Sequence, residues 1–172
     1  MNKSIITYSL WALFNSKDER FLKKIKKLSN FLLSEKNFKE NVSFPIHITI
    51  ISNIDKEAKN LKQNIKKIKR FKLEADSYSY KRNFFQSFFI KIKNDKKLKE
   101  IKRDIDKKVN IKTGVFLPHI SLNYGDQKSN IKKKSIHALP YIKNKVFNVN
   151  KLCIAMNDEK NLRWKIIKKF NI

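Results

Sequence analysis

The chain has 172 residues, enough for one core or for two small lobes that share one. Its 41% hydrophobic and 12% aromatic content excludes a disordered chain, and no apolar run approaches the roughly 18 residues that a membrane span needs. Its 41 Lys and Arg against 15 Asp and Glu give a formal charge of +26, a field that attracts RNA, DNA or any polyphosphate in a salt-dependent way.

From Ser4 to Phe14 the β-branched and aromatic run predicts a buried or half-buried strand; with no small-residue cleavage site, it is not expected to be a signal peptide. Phe21, Ile25, Leu28, Phe31 and Leu32 recur at helical spacing and predict an amphipathic helix over about 18–35. Ser43 to Ile51 is expected to be a strand with Pro45 near its start, followed by a helix over Ile54–Ile68. Two strands are predicted over Phe71–Tyr80 and Phe84–Ile92, joined by a turn at Arg82-Asn83. Leu98, Ile101, Ile105 and Val109 mark a third helix. Phe116–Tyr124 is expected to be a strand closed by Gly125-Asp126, and the polar stretch from Gln127 to about Pro140 to hold a short helix. Val146–Met156 and Leu162–Phe170 end the chain as a hairpin with Asn157 to Asn161 as its loop. Clustered strands separated by helices, with no linker rich in Gly, Pro or Ser, predict one α+β domain with largely antiparallel sheets.

One short segment repeats. Phe44-Pro45-Ile46-His47-Ile48-Thr49-Ile50 parallels Phe116-Leu117-Pro118-His119-Ile120-Ser121-Leu122, each in a predicted strand. Side chains at i and i+2 of a strand share a face, so His47 lies with Thr49 and His119 with Ser121, while Ile48 and Ile120 point into the core. If the two strands meet across a pseudo-twofold, two imidazoles and two hydroxyls converge on one cleft. That set suits phosphodiester hydrolysis: one imidazole takes a proton from water, the other protonates a leaving alkoxide, and the hydroxyls donate to the non-bridging oxygens. Neither a metal nor another cofactor is expected, because no Cys, Asp or Glu stands at ligand spacing from either histidine. His137, in a polar stretch with no hydroxyl at i+2, is expected at the surface. Two buried histidines satisfied by neighbouring hydroxyls are the structural alternative.

At these residues the sequence resembles the two-histidine phosphoesterase superfamily, and within it the cyclic phosphodiesterases of the plant and yeast type. Tyr8 to Leu13 is similar to that family's opening strand, Asn83 to Phe88 to its central aromatic strand with an embedded glutamine, and Leu117 to Gly125 to its second motif. The segment from Asn150 to Trp164 is similar to its last hairpin. The resemblance implies a bilobal, pseudo-symmetric fold of two largely antiparallel sheets flanked by helices, with a central cleft. It also implies metal-independent opening of a 2′,3′-cyclic nucleotide or of ADP-ribose 1″,2″-cyclic phosphate to a phosphomonoester. Catalytic roles carry over to His47, Thr49, His119 and Ser121; His119 is taken as the base and His47 as the acid, with the reverse left open by the likeness of the half-sites. Tyr124, Trp11 and Gln86 are candidate substrate-binding residues, each with a packing role as the alternative. In the first motif the proline stands one place earlier than in the second, and the segment from Asp76 to Asn83, with Tyr78, Tyr80 and Lys81-Arg82, has scope to alter substrate preference.

The expected partner is a cyclic nucleotide or an RNA end. The positive charge is almost all lysine and spread along the chain, so it suits non-specific nucleic-acid binding and is equally what AT-biased codon usage yields. Related readings are an RNA-end or cyclic-oligonucleotide phosphodiesterase of the same superfamily and a non-catalytic RNA-binding protein. The single cysteine, Cys153, suits a reducing cytosol, and the expected form is a cytoplasmic monomer without membrane contact.

Overall fold

The computed structural model describes residues 6–34, 43–54, 65, 67–93, 95–109, 116–158 and 160–172. In chain order these form β1 (Ile6–Phe14), α1 (Ser16–Leu33), β2 (Ile48–Ile54), β3 (Phe71–Tyr80), a 3-10 turn (Phe84–Gln86), β4 (Phe88–Ile92), α2 (Lys96–Val109), β5 (His119–Asn123), α3 (Ser129–Ala138), β6 (Val146–Asp158) and β7 (Arg163–Asn171). The helix expected over Ile54–Ile68 falls mostly outside the described residues; Ile54 ends β2, and Ile65 is buried in the core.

The two sheets anticipated from sequence are halves of one continuous antiparallel sheet, in the order β1-β2-β5-β4-β3-β6-β7. β6 also pairs with β1 and closes the circuit. It can serve both halves because it is long: Val146 to Val149 pair with β3, and Lys151 to Asp158 pair with β7. On the opposite side of the circuit the halves touch through a single pair, Ile48↔Ile120. These are the central residues of the two repeated motifs.

Alternation along the strands sets the faces. Leu10, Ala12, Ile48, Ile50, Ile90, Ile120 and Leu122 are buried in one core with Leu22 and Ile25 of α1 and Leu98, Ile101 and Ile105 of α2. Burial of each large aliphatic side chain contributes about 1.5–3 kcal/mol. The helices cross over: α1 follows β1 yet packs on β5, and α2 follows β4 yet packs on β2. Each half therefore supports the other's motif strand from behind.

α1 begins at a side-chain cap, with Asn15 Oδ1 accepting from Asp18 N at 2.8 Å. Asp18 in turn accepts from the backbone and amide nitrogens of Asn148, which pins the helix start to β6. The expected stripe is shifted: Leu22, Ile25, Ser29 and Leu33 face inward, and Phe31 is 75% exposed. β2 and β5 begin at or just after the histidines instead of three or four residues earlier. A proline has no N–H for a ladder, so the chain enters each strand only past Pro45 and Pro118. The strand predicted from Phe84 starts at Phe88; Phe84 to Gln86 form the 3-10 turn, whose start is capped by Asn83 Oδ1 accepting from Phe85 N at 3.0 Å. No helix among the described residues is long and apolar enough to cross a membrane.

Candidate active site

The Ile48↔Ile120 pair sets the geometry of the cleft. In antiparallel register the neighbours of a paired residue face each other, so His47 comes opposite Ser121 and Thr49 opposite His119, all on the face away from the core. A cleft of about 250 Å³ forms there, lined by His47, Thr49, His119 and Ser121 together with Ser9, Trp11, Ser52, Phe85, Gln86, Tyr124, Asn157 and Trp164. Larger hollows lie between α2 and Lys67-Ile68 and along the lysines of α1, but neither contains a histidine or a hydroxyl from the motifs.

Each imidazole is anchored in the same way. His47 Nδ1 lies 2.7 Å from the carbonyl oxygen of Pro45, and His119 Nδ1 lies 2.8 Å from that of Leu117. A carbonyl only accepts, so Nδ1 carries the proton and Nε2 is left with the lone pair. The aromatic neighbours also correspond. Trp11 pairs across the sheet with Thr49, and Phe89 pairs with Ser121. Trp11 stacks on His47 with centroids 3.7 Å apart, whereas Phe89 meets His119 edge-on at 5.0 Å.

The two half-sites differ electrostatically. Burial holds His47 down to about 3, opposed by the bond to Pro45 and reinforced by the charges of His119 and Lys26. His119 is less enclosed; burial again lowers its pKa, with the Leu117 carbonyl opposing and Lys81 reinforcing. Both rings are thus neutral near pH 7. Lys26 is itself lowered to about 7 by burial and donates to the Phe44 carbonyl at 2.6 Å. Among the described residues no three His, Cys, Asp or Glu side chains are grouped to hold a metal ion.

All seven residues singled out from sequence line this one cleft, with some differences in setting. Trp11 is 2% exposed and its ring face is covered by His47. Tyr124 is buried and stacks on Phe44 at 3.9 Å. Gln86 lies on the 3-10 turn and not within a strand. His137 is exposed at the end of α3, as expected. Sequence reasoning missed Ser9, Ser52, Phe85, Asn157 and Trp164 as lining residues. Asn157 and Trp164 are cross-strand partners in the last hairpin, a register visible only once β6 is known to run on to Asp158.

A continuous network holds the aromatic end of the cleft. Gly125 N donates to the Phe84 carbonyl at 3.0 Å, a close approach made from φ 138°, where a Cβ would clash. Ser87 donates to Gln127 at 2.9 Å in a buried contact, and the buried Lys132 ammonium donates to the Lys81 carbonyl at 3.1 Å. The turn that carries Phe85 and Gln86 is thereby fastened at both ends.

The sequence matches the family described as "Cyclic phosphodiesterase-like protein" over residues 6–172. None of the curated proteins matches it significantly. The fold is similar to E. coli LigT complexed with phosphate, at a TM-score of 0.62 and 9% identity over 99% of each chain. It is also similar to TT0787 of Thermus thermophilus (TM-score 0.58, 11% identity, covering 96% of this chain and 97% of that one). Usb1 of Kluyveromyces marxianus shares it at a TM-score of 0.52 and 13% identity over 99% of each chain. With two His-x-Thr/Ser motifs meeting in the cleft of this α+β fold, the chain belongs to the cyclic phosphodiesterase-like family of two-histidine phosphoesterases.

Proposed function

We propose that the protein opens a cyclic phosphodiester on a nucleotide, of the 2′,3′-cyclic or ADP-ribose 1″,2″-cyclic type, to leave a phosphomonoester. The observation that carries this reading is the meeting of the two motifs about Ile48 and Ile120, with both imidazoles held as Nδ1–H donors and both Nε2 atoms left for chemistry. E. coli LigT, similar in fold, has been solved complexed with 3′-AMP, which supports a nucleotide in such a cleft.

The phosphate sits between the histidines. Nε2 of one takes a proton from water as its oxygen bonds to phosphorus; the P–O bond to the ribose breaks, and Nε2–H of the other protonates the departing alkoxide. Thr49 and Ser121 donate to the non-bridging oxygens, where charge accumulates. Burial distinguishes the roles. His47, the more depressed, is the ring held without a proton and takes the role of base; His119, easier to protonate, is the acid once the anionic substrate raises its pKa. This reverses the order taken from sequence. The lysine-rich surface draws in the anionic substrate, which is a free nucleotide or an RNA end.

The test is turnover of 2′,3′-cyclic nucleotides by EDTA-treated protein, followed by phosphorus NMR. His47→Ala and His119→Ala should each abolish it. Full activity in both variants, or activity that appears only with added metal, refutes the reading.

A further inference from the structure

One wall of the cleft carries a polar group that neither motif uses. Asn157 on β6 and Trp164 on β7 are direct cross-strand partners, and Ser9 on β1 lies diagonally beside Asn157, two residues along from Thr7, the partner of Asn157 on that strand. Ser52 of β2 also lines this wall. Asn157 is 4% exposed. Its amide nitrogen is committed to protein, since Nδ2 donates to Ser9 Oγ at 2.6 Å and reaches Thr7 Oγ1 at 3.5 Å. Its amide oxygen is buried and has no partner among the described residues.

A buried amide oxygen without a donor is costly, and a purely structural role does not require it. β1 and β6 are already paired from Ile6↔Asp158 to Phe14↔Val149, so the strands do not need this side chain to be held together. Asn123 and Asn150 also bury an amide oxygen without a partner among the described residues, but neither lines the cleft. Asn157 alone combines the two properties. Its neighbour Trp164 is only half-buried, whereas Trp11 and Tyr124 have ring faces covered by His47 and Phe44. The wall beside Asn157 therefore offers an aromatic surface for a nucleoside next to an unused acceptor.

We propose that Asn157 is a specificity-determining residue, whose amide oxygen accepts a hydrogen bond from an N–H or O–H of the nucleoside while the phosphate lies between His47 and His119. This rests on the phosphodiesterase reading above. In adenosine 2′,3′-cyclic phosphate that donor is either the exocyclic amine of the base or the 5′ hydroxyl, the 2′ and 3′ oxygens being esterified.

Three substrates separate the sources: adenosine 2′,3′-cyclic phosphate, the purine riboside analogue that lacks the exocyclic amine, and the 5′-deoxy analogue that lacks the hydroxyl. The wild type should lose about tenfold or more in kcat/KM on one analogue, chiefly through KM. The analogue that suffers identifies the donor. Asn157→Ala should process that analogue and the parent alike. Ser9→Ala, which disturbs the same packing but keeps the acceptor, should still discriminate. Equal treatment of all three substrates by the wild type overturns the proposal even if the variants fail to fold, and so does an Asn157→Ala enzyme that keeps the wild-type ranking. Turnover of none of the three refutes the 2′,3′-cyclic form of the phosphodiesterase reading, and the proposal with it.

Discussion

Replacing His47 by asparagine should flatten the acid side of the protein's stability profile. The substitution keeps a donor for the Pro45 carbonyl and removes the titrating ring. In the folded protein burial holds His47 to about 3, whereas an exposed histidine in the unfolded chain titrates near 6.5. The unfolded state therefore binds a proton that the folded state refuses throughout that window. The contribution of the neutral ring is fully present above pH 6.5 and is lost progressively as the pH falls toward 3.

The size follows from the shift. Each pKa unit is worth about 1.4 kcal/mol, so between pH 7 and pH 4 the wild type should lose about 3 kcal/mol through this residue. That is a large share of the roughly 5–15 kcal/mol by which domains are usually stable. Carboxylates titrate in the same range, but they are common to both proteins and largely cancel in the difference. Urea unfolding followed by circular dichroism at pH 7 and pH 4 measures it. The wild type should weaken by about 3 kcal/mol more than His47→Asn over that interval. Parallel pH profiles would show that the ring is not buried as a neutral group, and the reasoning about its role as base would fall with it.

The same shifts constrain catalysis. With His47 as a neutral base and His119 as a protonated acid, kcat/KM should fall below about pH 3 and fall again as the pH rises through the lowered pKa of His119, so its optimum lies below pH 6.5. An optimum at pH 8 would exclude this assignment. Gly125→Ala should cost about 1–3 kcal/mol, because alanine is strained at φ 138°. It should also loosen the turn that carries Phe85 and Gln86, which a rise in KM larger than any fall in kcat would reveal.

The parts of this fold that were legible in the sequence depend on local periodicity. Leu98, Ile101 and Ile105 recur at helical spacing and are buried along α2. Ile48 and Ile120 alternate with the motif residues, and that alternation alone puts the histidines and hydroxyls on one face. What failed depended on tertiary partners. Phe84 to Gln86 are as apolar as a strand, yet the Gly125 and Gln127 contacts that fasten this segment come from about forty residues away. Phe31 fits a helical stripe as well as Leu33 does, and only the packing against β5 and α3 decides which is buried. Asn157 reads as a hairpin loop residue by composition and becomes a strand residue because β6 extends to meet Arg163.

Two similar motifs have unequal surroundings in this cleft. The frame is close to symmetric: each histidine bonds the carbonyl two residues before it, and each hydroxyl lies across the sheet from an aromatic residue that packs on the histidine. The symmetry breaks in the identity of that aromatic. A tryptophan laid flat at 3.7 Å covers a whole face of His47, whereas a phenylalanine edge at 5.0 Å leaves more of His119 open. Lys26, bonded to Phe44 beside the first motif, adds a positive charge that further opposes protonation of His47. General acid–base hydrolysis needs one imidazole without a proton and one with it. Two identical half-sites would share protons equally and spend part of their time in the wrong state. On the proposed mechanism, unequal covering of two like rings biases that distribution, and the residues that pack on the histidines help to set which of the two carries the proton.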